Sequence, residues 1–373
     1  MAWRRLPLLV LGFCALFAGI GAGLARLGFA VPAVAASAAA LHGPLMLCGF
    51  FGVVISLERA VALGRNWAYL APLLTGLGTV AALGGGAAYA PWLMLAGSVV
   101  FLAASVAVLR RQTALFTLVL VLGAGAWVVG NVLWLSGLPL QRSVPWWLAF
   151  LILTIAGERL ELSRFMAPSL SARNVFVAIL LAIIVGLGAA PRPWADLVFA
   201  GALLALSLWL VKQDIARRTV RGKALTRFVA VSLLAGYAWL AIGAGIMLAA
   251  GGLHAGTPAY GAAVHALALG FVFSMVFGHA PIIFPAVLRV AVPWHPLFYV
   301  PLALLHGSLI VRLAGDALGR FEWLRQGGLF NAVALVAFVV GIASAVLRGS
   351  RMRHAASGAA PDGGVVPPAA PGL

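Results

Sequence analysis

The stretch LHGPLMLCGFF, residues 41–51, places a histidine and a proline inside a long run of apolar side chains. It belongs to a segment over 34–57 in which most residues are alanine, leucine, valine, glycine or phenylalanine. A bilayer requires about 20 apolar residues for one helical crossing, so this segment predicts a membrane-spanning helix. Because an ionisable side chain is costly at bilayer depth, His42 is a candidate functional residue.

The rest of the chain has the same apolar character. Of its 373 residues, 64% are hydrophobic and 9% are charged, and the mean hydropathy is +1.09. These values exclude an ordinary soluble domain and indicate an integral membrane protein. We expect an all-α, polytopic bundle of about twelve transmembrane helices, with the count left open where only short Gly/Pro turns separate two segments. The predicted spans are 6–25, 34–57, 68–88, 91–109, 114–135, 145–162, 174–190, 193–211, 228–251, 259–287, 296–313 and 327–347.

The two ends of the chain carry their own signals. We expect residues 1–348 to form the helical bundle and residues 349–373 to form a disordered cytoplasmic tail, because the sequence after Arg353 is rich in glycine, proline and alanine. The first segment is similar to a signal peptide, with Arg4 and Arg5 ahead of an apolar run. It is long enough to span a bilayer, and we expect it to be kept as the first helix.

The formal net charge of +17 would indicate a nucleic-acid partner for a soluble protein, but the positions of these charges favour a membrane surface instead. Basic residues cluster after the even-numbered helices and at both ends of the chain, so the positive-inside rule places both termini in the cytoplasm. We expect a multi-pass protein of the bacterial inner (plasma) membrane that contacts anionic lipids and binds no nucleic acid. The predicted outer loop with Arg312, Arg320 and Arg325 breaks the charge pattern.

Four of the seven histidines lie within predicted spans. At a rise of 1.5 Å per residue, His42 and His265 both lie roughly 9 to 12 Å from the outer face. His279 and His306 lie roughly 12 to 15 Å from the inner face by the same rise. The sequence therefore predicts two histidine pairs, each at a shared depth. The alternative for each histidine is a neutral imidazole bonded to a carbonyl of a neighbouring helix.

Two imidazoles that face each other from different helices suit a six-coordinate heme, whose iron takes one axial nitrogen from each side. Met46 lies one turn after His42, and Gly49 and Gly270 are small residues beside which a flat ring system could fit. We therefore predict His42, His265, Met46, Gly49 and Gly270 as cofactor-binding residues. The alternative for the glycines is close helix packing, and for the methionine it is core filling.

Two motifs resemble known heme proteins of membranes. HGPLM, residues 42–46, resembles the HGxxM string in the second helix of heme-copper oxidase subunit I, whose histidine is an axial ligand of the low-spin heme. HALALGFVFSMVFGH, residues 265–279, resembles the HALxxGxxxxM pattern of the NnrS family, a twelve-helix heme- and copper-containing group linked to nitric oxide metabolism. It is also similar to the tenth-helix region of the oxidases. The resemblance implies an oxidase-like bundle in which His42 and His265 ligate a b-type heme.

The departures from these families limit the chemistry that the resemblance implies. Oxidases bind copper through histidines on helices six and seven, and residues 145–190 contain none. Position 263, where the oxidases have the second histidine of an HxH pair, is alanine, and residue 40, where NnrS proteins have a second histidine, is alanine too. Whether the chain is an enzyme therefore stays open. A second heme or a copper ion would have to be held by His279 and His306.

The leading hypothesis is a heme protein of electron transfer or of nitric oxide and denitrification chemistry, with quinol or a periplasmic carrier as its electron partner. The first alternative is a twelve-helix secondary transporter that uses membrane histidines for proton or substrate coupling. The second is a heme-free scaffold. Glu58 and Glu158 end two predicted helices and form either interfacial ion pairs or a cytoplasmic proton entrance. Asn131 and Tyr237 are predicted to bridge helices by hydrogen bonds.

Overall fold

The computed structural model describes residues 5–163 and 169–358, and the side chains of the last helix as far as Met352. Within these ranges the regular elements are all helical. Arg4, Arg164, the side chains of Arg353 and His354, and the predicted tail from residue 359 onward lie outside the described residues.

The described part of the chain contains twelve helices of 14 residues or more, and shorter helical turns are left unnumbered. They are α1 (Leu6–Arg26), α2 (Pro44–Leu63), α3 (Leu70–Leu83), α4 (Ala90–Arg111), α5 (Leu115–Leu135), α6 (Leu140–Ser163), α7 (Leu170–Gly188), α8 (Ala195–Gln213), α9 (Ala224–Ala249), α10 (Pro258–Leu288), α11 (Tyr299–Leu318) and α12 (Phe321–Gly358).

Ten helices in the described ranges are long and apolar enough to cross a bilayer, which supports a multi-pass membrane bundle. The other two, α3 and α6, coincide with the third and sixth predicted spans. The α3 helix has only 14 residues. The α6 helix is polar at both ends, with Arg142 near its start and Glu158 and Arg159 near its end.

The α6 helix lies in the interior of the bundle. Every residue from Trp147 to Thr154 is buried, so this part of the helix is enclosed by protein on all sides. A helix that contacts neighbouring helices instead of lipid does not need the uniform apolar surface of a lipid-facing span. The enclosed part of α6 is itself apolar, and the polar residues that lower its mean hydropathy lie near its two ends.

Small residues let the helices approach one another closely. A Cβ atom added at Gly123 of α5 would lie 3.2 Å from the carbonyl oxygen of Phe150 in α6. Gly52 of α2 packs against the indole of Trp127, and that indole stacks on Phe150 with ring centroids 4.8 Å apart. Because lipid tails are as apolar as the side chains, such close packing is the main attraction between membrane helices.

Asn131 bridges three helices by hydrogen bonds, as the sequence predicted. Its Nδ2 donates to the carbonyl oxygen of Met94 at 3.1 Å, and its Oδ1 accepts from the indole Nε1 of Trp147 at 3.1 Å. The same Oδ1 lies 3.5 Å from Sγ of Cys48. Tyr237 is a second confirmed bridge, because its hydroxyl donates to Oδ2 of Asp214 at 2.6 Å. The bonds of Asn131 connect α5 with α2, α4 and α6 at a fully buried position, and the bond of Tyr237 connects α9 with the residue that follows α8.

The end of the bundle differs from the predicted boundary at residue 348. The α12 helix continues to Gly358, because the sequence after Leu347 contains no proline until Pro361. Residues 349–358 of the predicted disordered tail are therefore helical.

Replacing Asn131 by alanine should lower the thermal stability of the detergent-purified protein. The substitution leaves the Trp147 Nε1 donor and the Met94 carbonyl without their buried partner, which costs roughly 1–2 kcal/mol. The matched control is Ser136→Ala, since exposed Ser136 bonds only to the carbonyl of Leu133 in its own helix. Equal melting temperatures for the two variants would contradict the bridging role.

Candidate functional site

The structure brings His42 and His265 together across the interior of the bundle. Their ring centroids are 6.3 Å apart and their ring planes are inclined by only 17°. His42 lies two residues before the first residue of α2, and His265 ends the first α-helical part of α10. Two residues that are more than 200 positions apart in sequence therefore present their rings to each other.

Each of these imidazoles is oriented by a backbone carbonyl. Nδ1 of His42 lies 2.8 Å from the carbonyl oxygen of Gly19 in α1, and Nδ1 of His265 lies 2.7 Å from that of Gly261. A carbonyl only accepts hydrogen bonds, so Nδ1 carries the proton in both rings. In the neutral imidazole, Nε2 then holds the lone pair. Among the described residues, no hydrogen-bond partner occupies either Nε2.

Both histidines precede a π-helical segment. The α2 helix opens with the π-helix Pro44–Phe50, and α10 contains the π-helix Ala266–Phe273 directly after His265. Pro44 has no N–H to donate to a carbonyl of the preceding turn, which favours the wider turn on the α2 side. Short π-helical insertions in α-helices are frequently found at functional sites. No hydropathy or periodicity signal in the sequence predicted them.

A cavity of about 610 Å³ adjoins the two rings. One part of its lining is apolar and consists of Met46, Leu47, Phe51, Leu269 and Phe273. The other part is polar and includes Arg26, Arg312, Asp316, Tyr260 and Gln141. Its volume lies within the range of about 300–1,000 Å³ that is usual for small-molecule and cofactor sites. The lining of the cavity thus combines apolar side chains with two arginines and one carboxylate.

Two glycines of α1 make room for the residues that border this cavity. A Cβ atom added at Gly23 would lie 2.8 Å from Cε1 of His42, and one added at Gly19 would lie 2.6 Å from Sδ of Met46. Any side chain at either position would push its neighbour out of place. The sequence did not identify Gly19, Gly23, Arg26 or Arg312 as residues of the site. The one available signal was that Arg312 departs from the predicted charge pattern of the loops.

Gly49 and Gly270 do not line the cavity, contrary to the prediction that they bind a cofactor. An added Cβ at Gly49 would lie 2.8 Å from both Cβ of Ala15 and Oγ1 of Thr79, on neighbouring helices. Gly270 packs under the indole of Trp239 in α9. Both glycines therefore serve close helix packing, the alternative that their residue type allowed. Of the predicted cofactor-binding residues, His42, His265 and Met46 border the cavity.

His279 has no free ring nitrogen. Its Nδ1 lies 2.6 Å from the carbonyl oxygen of Met275, and its Nε2 lies 2.6 Å from Nη2 of the buried Arg159. A guanidinium only donates, so Nε2 must accept with its lone pair, and Nδ1 must donate to the carbonyl. His279 is thereby engaged at both nitrogens and is not available as a metal ligand in this arrangement.

His306 lies at a different level from His279, so the second predicted pair does not form. The indole Nε1 of Trp239 donates to Nδ1 of His306 at 2.9 Å, and the same indole packs on Gly270. His306 therefore lies level with Gly270, and His279 lies nine residues further along α10, a displacement of roughly 13–14 Å. Residue counts from the predicted inner ends of the two helices had placed both histidines at one depth. The packing of α9 against α10 places them at different depths.

The acidic residues near the predicted inner ends of α2 and α6 lie close to each other. The charges of Glu58 and Glu158 act on one another, and those of Arg59 and Arg159 act on Glu158. Within the described ranges, no ion pair joins any two of these four residues. Glu58 and Glu158 therefore do not form ion pairs with Arg59 or Arg159, and Arg159 bonds instead to His279.

The chain belongs to the family described as a domain of unknown function (DUF8744), whose model matches residues 5–347. The match covers the bundle from α1 into α12. No curated protein and no solved structure matches the chain.

The contrast between the histidines predicts their reactivity toward diethyl pyrocarbonate, which acylates unprotonated imidazole nitrogens. In ligand-free protein, His42 and His265 should be modified faster than His279, because their Nε2 atoms face the cavity while that of His279 accepts from Arg159. Peptide mass spectrometry would give the rate for each residue. Exposed His254 serves as the internal reference for the reagent. Equal rates for His265 and His279 would contradict the assigned hydrogen bonds.

Proposed function

We propose that the chain is a heme-binding membrane protein in which His42 and His265 supply the two axial ligands of a b-type heme. The observation that carries the proposal is the pair itself: two neutral imidazoles, each fixed through Nδ1 to a carbonyl, with unpartnered Nε2 atoms beside one cavity. Bonding of the second ring nitrogen to a backbone carbonyl is the usual way in which proteins orient histidine ligands.

The two rings are close enough for both to hold one bound group. Their centroids are 6.3 Å apart, which lies within the range of about 4.5–7 Å for aromatic pairs in direct contact. The same distance separates the hydrogen-bonded rings of Trp239 and His306. The unpartnered Nε2 atoms, and not the spacing, therefore carry the proposal.

The donor set favours a metal that brings most of its own ligands. No group of three or more His, Cys, Asp or Glu side chains with metal-binding geometry occurs in the described ranges. A bare zinc or copper ion would ordinarily require three or four protein ligands. A porphyrin supplies four nitrogens and needs only the two axial positions from the protein. Two histidines beside a largely apolar cavity match that requirement.

The charged end of the cavity fits the carboxylate edge of such a group. Arg26 ends α1, and Arg312 lies on α11 one turn before Asp316. Nε of Arg312 and Oδ2 of Asp316 are both buried without a hydrogen-bond partner in the described structure. An unsatisfied buried guanidinium N–H is costly unless an anion reaches it. Arg26 and Arg312 would therefore hold the propionates, and Met46 and Phe273 would contact the ring faces.

Electron transfer is the function that this ligand set supports best. When bound, the heme supplies a reversible one-electron couple, and two protein ligands leave no open iron position for a substrate. We propose quinol or a periplasmic carrier as the electron partner, with nitric oxide or denitrification chemistry as the wider context that the NnrS-like motif implies. The twelve-span, oxidase-like arrangement of the bundle belongs to the same proposal, as does its place in the bacterial inner membrane with both termini cytoplasmic.

An absorbance spectrum of the purified protein, dithionite-reduced minus oxidised, tests the proposal. Protein from heme-supplemented cells should show sharp low-spin b-type bands. In His42→Ala and His265→Ala the amplitude should fall about tenfold or more, since each variant removes one of two ligands. His254→Ala, an exposed loop variant, should keep the wild-type spectrum.

Two outcomes of that experiment decide against heme. A featureless wild-type spectrum would remove the proposal and leave the secondary transporter as the better reading of the buried histidines. Retention of unchanged bands in both variants would show that the heme lies elsewhere. Addition of free imidazole to His265→Gly should restore the bands, which separates a lost ligand from a lost fold.

Arg312→Gln should weaken retention of the heme without changing its ligands. Loss of a charge-assisted hydrogen bond costs about 1.5–3 kcal/mol, so transfer of heme to an excess of a soluble apo-protein should be about tenfold faster or more. The bands should keep their positions because His42 and His265 remain. The control is Arg320→Gln, an exposed arginine that lies over the ring of Trp323. Equal transfer rates in the two variants would contradict the role of Arg312.

A further inference from the structure

A second cavity lies between the start of α9 and the segment that joins α10 to α11. Its volume is about 630 Å³. It is lined by Gly222, Lys223, Ala224, Arg227, Val231, Trp294, Pro296 and Tyr299. None of these residues borders the histidine cavity. We call this cavity the basic groove.

The basic groove carries two positive charges and no negative one. Lys223 and Arg227 are both exposed, and no carboxylate is among the lining residues. In the described part of the chain, neither side chain forms a hydrogen bond or an ion pair. Two unpaired cations beside one cavity raise the local potential and favour an anion there. Arg217, Arg218 and Arg221 lie on the same connection but outside the lining of the groove.

The walls of the basic groove are aromatic and apolar. The rings of Trp294 and Tyr299 meet edge-on with centroids 5.9 Å apart, and both pack on the buried ring of Phe228. Val231 lies one turn after Arg227, toward the apolar middle of α9. Tryptophan and tyrosine favour the boundary between lipid tails and headgroups. The groove therefore changes from cationic to apolar along the direction in which a lipid changes from headgroup to tail.

We propose that the basic groove binds one anionic phospholipid. Lys223 and Arg227 contact the phosphate of its headgroup, and Trp294, Tyr299 and Val231 contact the glycerol and the start of the acyl chains. Basic pockets between membrane helices bind lipid headgroups in this manner. A free phosphate ion would use the two cations but leave the aromatic wall without a function. The assignment does not depend on the histidine pair.

Native mass spectrometry of the full chain, with phosphatidylglycerol titrated against phosphatidylcholine, tests this site. Wild-type protein should keep one phosphatidylglycerol in preference to phosphatidylcholine. The double variant Lys223→Gln/Arg227→Gln should lose about tenfold or more of that preference, since a charge-assisted hydrogen bond to the phosphate is lost at each position. Arg217→Gln/Arg218→Gln removes the same charge from the same connection, outside the groove, and should change the preference by no more than about twofold.

Other results would overturn the assignment. An equal loss in the two double variants would show a general surface attraction instead of a site. A preference unchanged in Lys223→Gln/Arg227→Gln would exclude the groove. Inorganic phosphate at millimolar concentration should not displace the lipid, and full displacement would make the site one for a free anion. Tyr299→Phe, which keeps the ring, should retain the lipid, while Tyr299→Ala should lose part of it. Unchanged helical circular dichroism would verify the fold of each variant.

Discussion

The bonds from Nδ1 of His42 and His265 to backbone carbonyls are the constraint on which the site depends. In an apolar interior a polar hydrogen has to be donated, and each imidazole donates it to the backbone. The second nitrogen of each ring is then left as an acceptor, and its direction is fixed by the ring. Gly23 accommodates this geometry, because the ring of His42 occupies the space where a side chain would begin.

The same reasoning separates the two histidines of α10. His265 and His279 have the same kind of backbone partner, a carbonyl four residues earlier in the helix. They differ at Nε2, where Arg159 of the buried α6 helix meets His279. A buried guanidinium requires acceptors, and the imidazole lone pair is one. Depth in the membrane therefore does not decide whether a histidine can bind a metal. What decides it is whether a donor on a neighbouring helix occupies the second ring nitrogen.

The sequence predicted most of the helices and one of the two histidine pairs. Hydropathy placed segments that match ten apolar helices, and helical rise paired His42 with His265. The second pair failed because depth along one helix says nothing about which residues of other helices lie opposite. A search for a period of 3.6 residues also does not detect the π-helices that follow His42 and His265. The same limit applies to Gly49 and Gly270, because the sequence does not indicate which neighbouring residue a glycine of a membrane helix packs against.

Charge followed a different logic from hydropathy. Arg312 contradicted the positive-inside pattern, and the structure places it on the histidine cavity together with Arg26. A cation that departs from the predicted charge pattern lacks the usual electrostatic reason for its position, so the groups around it have to account for it. Lys223 and Arg227 obey the pattern, yet they line a groove whose other walls are aromatic. In both places, the residues that surround a positive charge indicate its role better than its predicted side of the membrane does. A bound ion is held by direct contacts, and the long-range electric field of the protein only attracts it.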